Sequence, residues 1–206
     1  MLAYLAADGS VTVNRKRNKG RGHSDIRFYP DDAALVSAFI EAFLYLYRRK
    51  PTVRRAVNHY RVYVSSQVAC AHLLQFGTFG SREWRLPFTA LTSTERKREW
   101  LRAFFDCEGY VGKRCIRAES VNERGLDDVQ CLLKEFRIPC RRYVYNRENA
   151  SWGVNYILNI GTLEGRRTFL KEIGFAHSLK AGKLRSQLQG QRGGTRSTRQ
   201  SRKLVP

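Results

Sequence analysis

Acid is what this sequence is short of. Eighteen Asp and Glu stand against thirty-eight Lys and Arg, leaving a net charge of +20 and a pI near 10.3. A chain of that sign attracts polyanions, nucleic acid first among them. Twenty-eight of the thirty-eight cations are Arg, whose planar fork suits phosphates and guanine edges. Cysteine is also scarce: five residues, an odd number, with no CxxC pair. That excludes a disulfide framework and a zinc site, and points to a reducing, cytoplasmic compartment. No apolar run reaches the roughly eighteen residues of a membrane span, and no secretory pattern opens the chain, so no membrane partner is expected. Disorder is excluded for most of the length by 42% apolar and 12% aromatic content over 206 residues, enough for one or two domains with a proper core.

Hydrophobic spacing organises the chain. Met1 to Ala7 is apolar and ends in Asp8-Gly9; Ser10 to Val13 alternates like a strand, and Asp25 to Tyr29 reads as a second. Pro30-Asp31-Asp32 opens a helix with Leu35, Phe39, Phe43 and Tyr47 at steps of four. Strands follow at Val53 to Ala56 and Tyr60 to Ser65, then a short helix from Gln67 to Gln75. Thr92-Ser-Thr-Glu95 reads as a capping box opening a helix through Trp100, Leu101, Phe104 and Phe105 to Cys107-Glu108-Gly109. Strands lie near Tyr110 to Val121, a helical stripe at Leu126, Val129, Leu132, Leu133 and Phe136 stops before Pro139, and Arg141 to Arg147 reads as a strand. Trp152, Val154, Tyr156, Leu158 and Ile160 alternate as the clearest strand, and a helix from Leu163 to Ile173 is closed by Gly174. From Gly190 the composition turns to Gly, Ser, Thr and Arg, with five cations and no acid, which predicts a basic disordered tail over 190–206.

The order helix, two strands, helix, two strands, helix occurs twice, with Ala7-Asp8-Gly9 and Cys107-Glu108-Gly109 in register one hundred residues apart. The spacing predicts an α+β fold of duplicated αββαββα units, an N-terminal half over 1–91 and a C-terminal half over 92–189. A helix C-terminus carries partial negative charge, so an acid there is disfavoured, yet both motif helices end in one. Small residues four apart, Ala3 with Ala7 and Ala103 with Cys107, would let the two helices approach closely. Asp8 and Glu108 meeting at such a crossing would need divalent cations, and hard oxygen ligands suit magnesium. A single acid-glycine pair after a helix is ordinarily only a turn; the pairing in equal context on a basic chain favours a site.

Leu101-Arg-Ala-Phe-Phe-Asp-Cys-Glu-Gly109 resembles the nine-residue signature of the LAGLIDADG homing endonucleases, and Met1 to Gly9 resembles its first copy, with Ala6 in place of the upstream acid. Phe79 to Pro87 and Gly174 to Lys183 are similar to the family's post-helix stretches, so the resemblance runs over roughly 1–189. It implies a monomeric pseudodimer with the motif helices at the centre and two antiparallel sheets forming a saddle over double-stranded DNA. It implies catalytic, metal-binding carboxylates at Asp8 and Glu108, with the backbone carbonyls of Ala7 and Cys107 helping to hold Mg2+ or another divalent ion such as Mn2+. The implied reaction is metal-dependent hydrolysis of both strands at a long asymmetric target, with auxiliary residues around the water; Gln67, Lys113 and Asn122 are the candidates. With no room for a self-splicing domain, an intron-borne enzyme is expected.

Alternate strand residues would read the DNA. The candidates are Arg15, Arg17, Arg27, Arg54, Arg55 and Arg61 in the first half, and Lys113, Arg114, Arg117, Arg141, Arg142 and Arg147 in the second, with phosphate contact outweighing base readout for each. Tyr29, Tyr63, Tyr143 and Tyr145 interleave with them. His72 reads as packed or surface, Cys70 and Cys131 as core, and Ser65-Ser66 as a helix cap. Cys115 and Cys140 fall on candidate strands. The alternatives are an intron RNA maturase and a non-catalytic DNA-binding protein; the second has no use for acids at paired helix ends, where they repel phosphate.

Overall fold

The computed structural model describes residues 1–14, 22–146 and 153–190. Helix α1 (Leu2–Asp8) runs directly into strand β1 (Gly9–Asn14), which pairs antiparallel with β2 (His23–Phe28). Helix α2 (Ala33–Tyr47) follows, then β3 (Thr52–Arg55), β4 (Tyr60–Ser65) and α3 (Gln67–Leu74). The second half repeats the order: α4 (Thr94–Glu108), β5 (Gly109–Val111), β6 (Ile116–Ser120), α5 (Glu123–Glu135), β7 (Arg141–Asn146), β8 (Val154–Ile160) and α6 (Leu163–Glu172). Each half forms a four-stranded antiparallel sheet, ordered β1-β2-β4-β3 and β5-β6-β8-β7. The duplicated α+β architecture is the expected one. A helix outside that pattern, α7 (Ser178–Gly190), closes the described chain and takes in Gly190, the first residue assigned to the tail; the rest of the tail, Trp152, Arg15, Arg17 and Arg147 lie outside the described residues.

Capping chemistry sets the helix starts. Asp32 caps α2 by accepting from Ala34 N, Asn122 caps α5 by accepting from Gly125 N, and Ser66 and Thr162 cap α3 and α6. Thr92 does not cap α4. Ser93 does, accepting from Arg96 N, while Glu95 turns to Arg98 at 2.5 Å, so the expected box is out by one residue. Gly174, at φ 66, closes α6 as its position suggested, in the left-handed region open to glycine.

Two cores lie behind the two sheets. The first joins Ile26, Phe28, Val62 and Val64 to Leu35, Phe39 and Phe43 of α2. The second joins Ile116, Ala118, Leu158 and Ile160 to α5, α6 and the aromatics Trp100, Phe104 and Phe105 of α4. In the sheet, Phe28 pairs with Gly9 where Ala118 pairs with Gly109, so the first half fills its core with a strand aromatic that the second supplies from a longer motif helix. Trp84, Leu86 and Leu91 precede the sequence boundary at 91 yet are buried in the second core. Arg85 and Asp128 pair at 2.6 Å, and Asn122 donates to the Trp84 carbonyl at 2.5 Å, fixing that connection to α5.

Strand alternation in β8 departs from expectation. Leu158 and Ile160 are buried, but Val154 is exposed and Asn155 is buried, donating to Glu119 at 3.0 Å. All five cysteines are free thiols; Cys70 is core as expected, whereas Cys131 is exposed on α5, one step off the apolar stripe. Among the described residues, no helix is long and apolar enough to cross a membrane.

Candidate catalytic centre and nucleic-acid face

The two motif helices pack on one another, and each hands its acid directly to a glycine that begins a strand. Ala3 and Ala6 are the fully buried small residues of α1, and the four-apart partners Ala7, Ala103 and Cys107 are partly buried and packed on the cores. The glycine is required by crowding: a Cβ on Gly9 would stand 2.6 Å from the Leu5 Cα, and one on Gly109 would run into the Phe105 carbonyl. Asp8 is further fixed through its carbonyl, which accepts from Tyr29 N at 3.0 Å.

The two acids end packed helices, and Asp8 is among the charges that act on Glu108. Burial raises the Asp8 carboxyl to about 6, helped by Asp31 and opposed by Lys180. Burial raises Glu108 to about 8, with Asp8 the next cause, Lys180 opposing and Glu119 adding. Between them the Cys107 thiol is pushed well above its ordinary value by burial, then by Asp8 and Glu108. Two half-buried carboxylates that each disfavour charge fit a divalent cation, which neutralises both. Among the described residues no group of three or more His, Cys, Asp or Glu side chains is arranged to hold a metal ion by itself. The groups that could hold an ion here are two carboxylates with nearby backbone carbonyls, a hard-oxygen set that would leave positions for water or phosphate oxygen.

Lys180 is the residue the sequence did not disclose. It rides on α7, and its Nζ donates to the carbonyls of Asp106 at 2.5 Å and Cys107 at 3.0 Å. The Cys107 carbonyl, a ligand candidate, thus already accepts from an ammonium, and among the described residues no side-chain donor is placed on the Ala7 carbonyl. Asp106 holds the strap that brings α7 there. Its carboxylate is 1% exposed and accepts from Ala176 N at 3.2 Å and His177 N at 3.0 Å. Burial raises the Asp106 carboxyl, while those two N–H donors pull it back down. His177 Nε2 in turn lies 3.4 Å from Asp32 Oδ2, tying the strap to the first half.

The three auxiliary candidates do not join the acids. Asn122 is buried as the α5 cap. Gln67 opens α3 and lines a cavity of about 1140 Å3 at the β1–β2 hairpin end, with His23 and Ser66. That end is five residues along β1 from Gly9, roughly 17 Å at strand spacing. Lys113 sits in the β5–β6 turn, exposed.

Sheet register sorts the cations. Ser10, Arg27, Tyr63 and Thr52 form one cross-strand row on the open face of the first sheet, with Arg54 opposite Arg61 beside it. In the second sheet the matching row is Tyr110, Arg117, Asn159 and Arg141. Arg27 and Arg117 therefore occupy equivalent places, one residue from each motif glycine's partner. Tyr143 and Tyr145 share the second open face, and Arg54 lies over the Tyr63 ring at 5.6 Å. Two of the candidates lie off the open face. Arg55, opposite Tyr60, shares the face of the buried Val62. Arg142 points to the helix side, where it pairs with Asp127 at 2.5 Å and Glu123 at 3.1 Å. Arg114 is exposed in the β5–β6 turn. His72 is a surface residue bonded to Tyr47 at 2.8 Å, and Ser66 is the cap expected.

Residues 95–174 match the LAGLIDADG-like domain family. The chain is a LAGLIDADG-fold protein. The crystal structure of I-DmoI in complex with DNA and Ca superposes at a TM-score of 0.67, with 15% identity, over 90% of this chain and 94% of that one. The LAGLIDADG meganuclease I-AabMI bound to uncleaved DNA gives 0.57, with 10% identity, over 93% and 90%. Full-length DUF199/WhiA from Thermatoga maritima gives 0.58, with 14% identity, over 96% of this chain and 60% of that one. In sequence, the LAGLIDADG-fold chain is 29% identical over 189 residues to a replication factor C small subunit of Methanocaldococcus jannaschii, and 28% identical over 170 residues to that of Thermococcus kodakarensis. Those matches take in 89% and 78% of this chain but only 10% and 19% of the relatives' own length.

Proposed function

We propose that this chain is a site-specific endonuclease that hydrolyses both strands of duplex DNA with a divalent metal ion, acting as a monomer whose two halves each supply one carboxylate. The observation that carries the reading is the convergence of Asp8 and Glu108 at the helix crossing, with the Lys180 ammonium against the adjoining carbonyls. DNA-bound neighbours of the same fold support it, I-DmoI with Ca and I-AabMI among them.

Asp8 and Glu108 would hold the ion, Mg2+ or Mn2+, with the Cys107 carbonyl. Such an ion lowers the pKa of bound water and neutralises charge on the leaving oxygen. Lys180 contributes a positive charge that the last turn of neither motif helix carries, placed to stabilise a phosphate oxygen as negative charge grows on it. The open faces would present Arg27, Arg54, Arg61, Arg117 and Arg141 to the duplex, with one motif acid at the head of the first strand of each sheet. Both relatives contain the matching segment within far longer polypeptides, so the reading covers a homing unit carried inside a host protein as well as an intron-borne one.

The test is incubation with a randomised duplex library in Mg2+ and in EDTA, followed by sequencing of the ends. A reproducible double-strand break that needs Mg2+ supports the reading. Tight, specific duplex binding without a break in any divalent ion overturns it in favour of a DNA-binding protein. Selective binding of intron RNA in place of duplex overturns it in favour of a maturase.

A further inference from the structure

Helix α7 has three working sides. Ala181, Leu184 and Leu188 are buried against the second core. Lys180, Lys183 and Gln187 face the edge strand β5: Lys183 lies 5.1 Å over the Tyr110 ring, and Gln187 donates to the Gly112 carbonyl. Arg185 and Gln189 face α6, where they line a groove of about 430 Å3 with Arg167, Leu170, Lys171 and Leu188. This groove lies on the helix side of the second half, away from the open sheet faces.

Two of its three cations, Arg167 and Arg185, have no acid partner among the described residues, and Lys171 has only its neighbour Glu172 at 3.7 Å. Arg166, their neighbour on α6, is turned inward at 2% exposure and bonded to the Thr162 carbonyl at 3.3 Å and Gln187 Oε1 at 3.1 Å, so it is not one of the groove's cations. The fold does not ask for these cations. Counted from the caps at Ser66 and Thr162, the equivalent positions of α3 hold Cys70, Ala71 and Gln75, and the whole of α3 carries no Lys, Arg, Asp or Glu. Charge that the scaffold does without in one half, crowded in the other, marks a site for an anion.

We propose that the α6–α7 groove is a second nucleic-acid site that takes a single strand, independent of the duplex on the sheets. Three cations ring an apolar floor of Leu170 and Leu188, which seats phosphates on Arg167, Lys171 and Arg185 and an unstacked base between them. The volume is at the small end of ligand pockets, room for a nucleotide and too narrow for a double helix.

Fluorescence anisotropy of the full chain with labelled twelve-nucleotide oligo-U and oligo-dT, and separately with a duplex, tests this. The variants are R167Q/K171Q/R185Q in the groove and R27Q/R54Q/R61Q on the first sheet; all six residues are exposed, and thermal unfolding checks that both variants stay folded. The groove variant is expected to lose about tenfold or more in single-strand affinity. Its slope of log K against log salt should fall by about 2, at roughly 0.7 for each phosphate that is no longer neutralised. Its duplex binding should hold, while the sheet variant shows the reverse pattern. A loss on the RNA arm, the DNA arm or both supports the site and names its strand. Equal losses by both variants on single strand and duplex, or no loss by the groove variant on either arm, overturn it. None of these readouts depends on cleavage, so a failed endonuclease reading leaves the outcome legible.

Discussion

The two halves of this molecule share a plan and divide the labour unevenly. The first motif helix has seven residues and carries Ala6 where the second, of fifteen, carries Asp106. Both positions are buried, at 2% and 1% exposure, but only the second half has something for an acid to hold. Asp106 captures two backbone N–H groups, the strap turns, and α7 delivers Lys180 to the centre. The first half has neither the acid nor a helix after α3 to anchor, and alanine there is the consistent choice. Both halves thus carry the acid that ends the motif helix, and the positioning acid stands only where a cation follows from it.

The sharpest way to break the comparison is to remove the shared part. D8N and E108Q should each lower double-strand cleavage by at least about a thousandfold while duplex binding stays within a few-fold, since each removes an ion ligand and no sheet cation. Normal cutting by either variant would sink the assigned pair. K180M, touching the unshared part, should cost about a hundredfold in cleavage rate, the usual scale for a lost electrostatic donor, with binding intact. D106A should behave like K180M in rate but also destabilise the fold by about 3 kcal/mol, because two buried N–H groups lose their acceptor. A6D should destabilise as well, by burying a carboxylate with no donors prepared for it; a stable A6D protein would show that the contrast between the halves is accidental.

A smaller effect concerns pH. Asp8 at about 6 and Glu108 at about 8 hold their protons more tightly folded than unfolded. The contribution of these two groups to the stability of the ion-free protein should therefore be fully present below about pH 4 and be lost as pH rises through about 6 and then about 8. E108Q should flatten most of that decline. Divalent ions should reverse it at the alkaline end, because binding requires both carboxyls ionised, and their affinity should climb between pH 6 and 8. Thermal unfolding scans with and without Mg2+ read both slopes; a pH-independent melting temperature without metal would contradict the convergence of the acids.

Local pattern carried much of this architecture. Helix stripes, caps and acid-glycine ends are written within a few residues, so both units and both carboxylates were legible. Three things were not. Helix α7 lacks an acidic start and mixes Gly182 and Ser186 into its faces, so no stripe announces it; its helicity comes from packing Ala181, Leu184 and Leu188 on a core assembled elsewhere. Lys180 lies seventy-two residues from Glu108, and only the Asp106 strap brings them together. Asn155 sits on an apparently exposed phase of β8 and is buried because Glu119 accepts from it. Two errors had a visible remedy. Arg141 and Arg142 cannot both face DNA from one strand, and Cys131 falls between the stripe positions 129 and 132.

Trp84 has a consequence for how such a protein can be taken apart. The connection that leaves the first half buries its indole among Trp100 and Phe104, at 6.4 and 5.3 Å between ring centroids, and Arg85 clasps Asp128 beyond it. The halves are thus interlocked rather than strung in tandem. Grafts that exchange halves between related proteins should be joined ahead of Trp84, near Phe79, which still belongs to the first core. A graft joined at 91 imports a foreign tryptophan into the recipient's centre, and the recombinable unit is displaced from the repeated one by about a dozen residues.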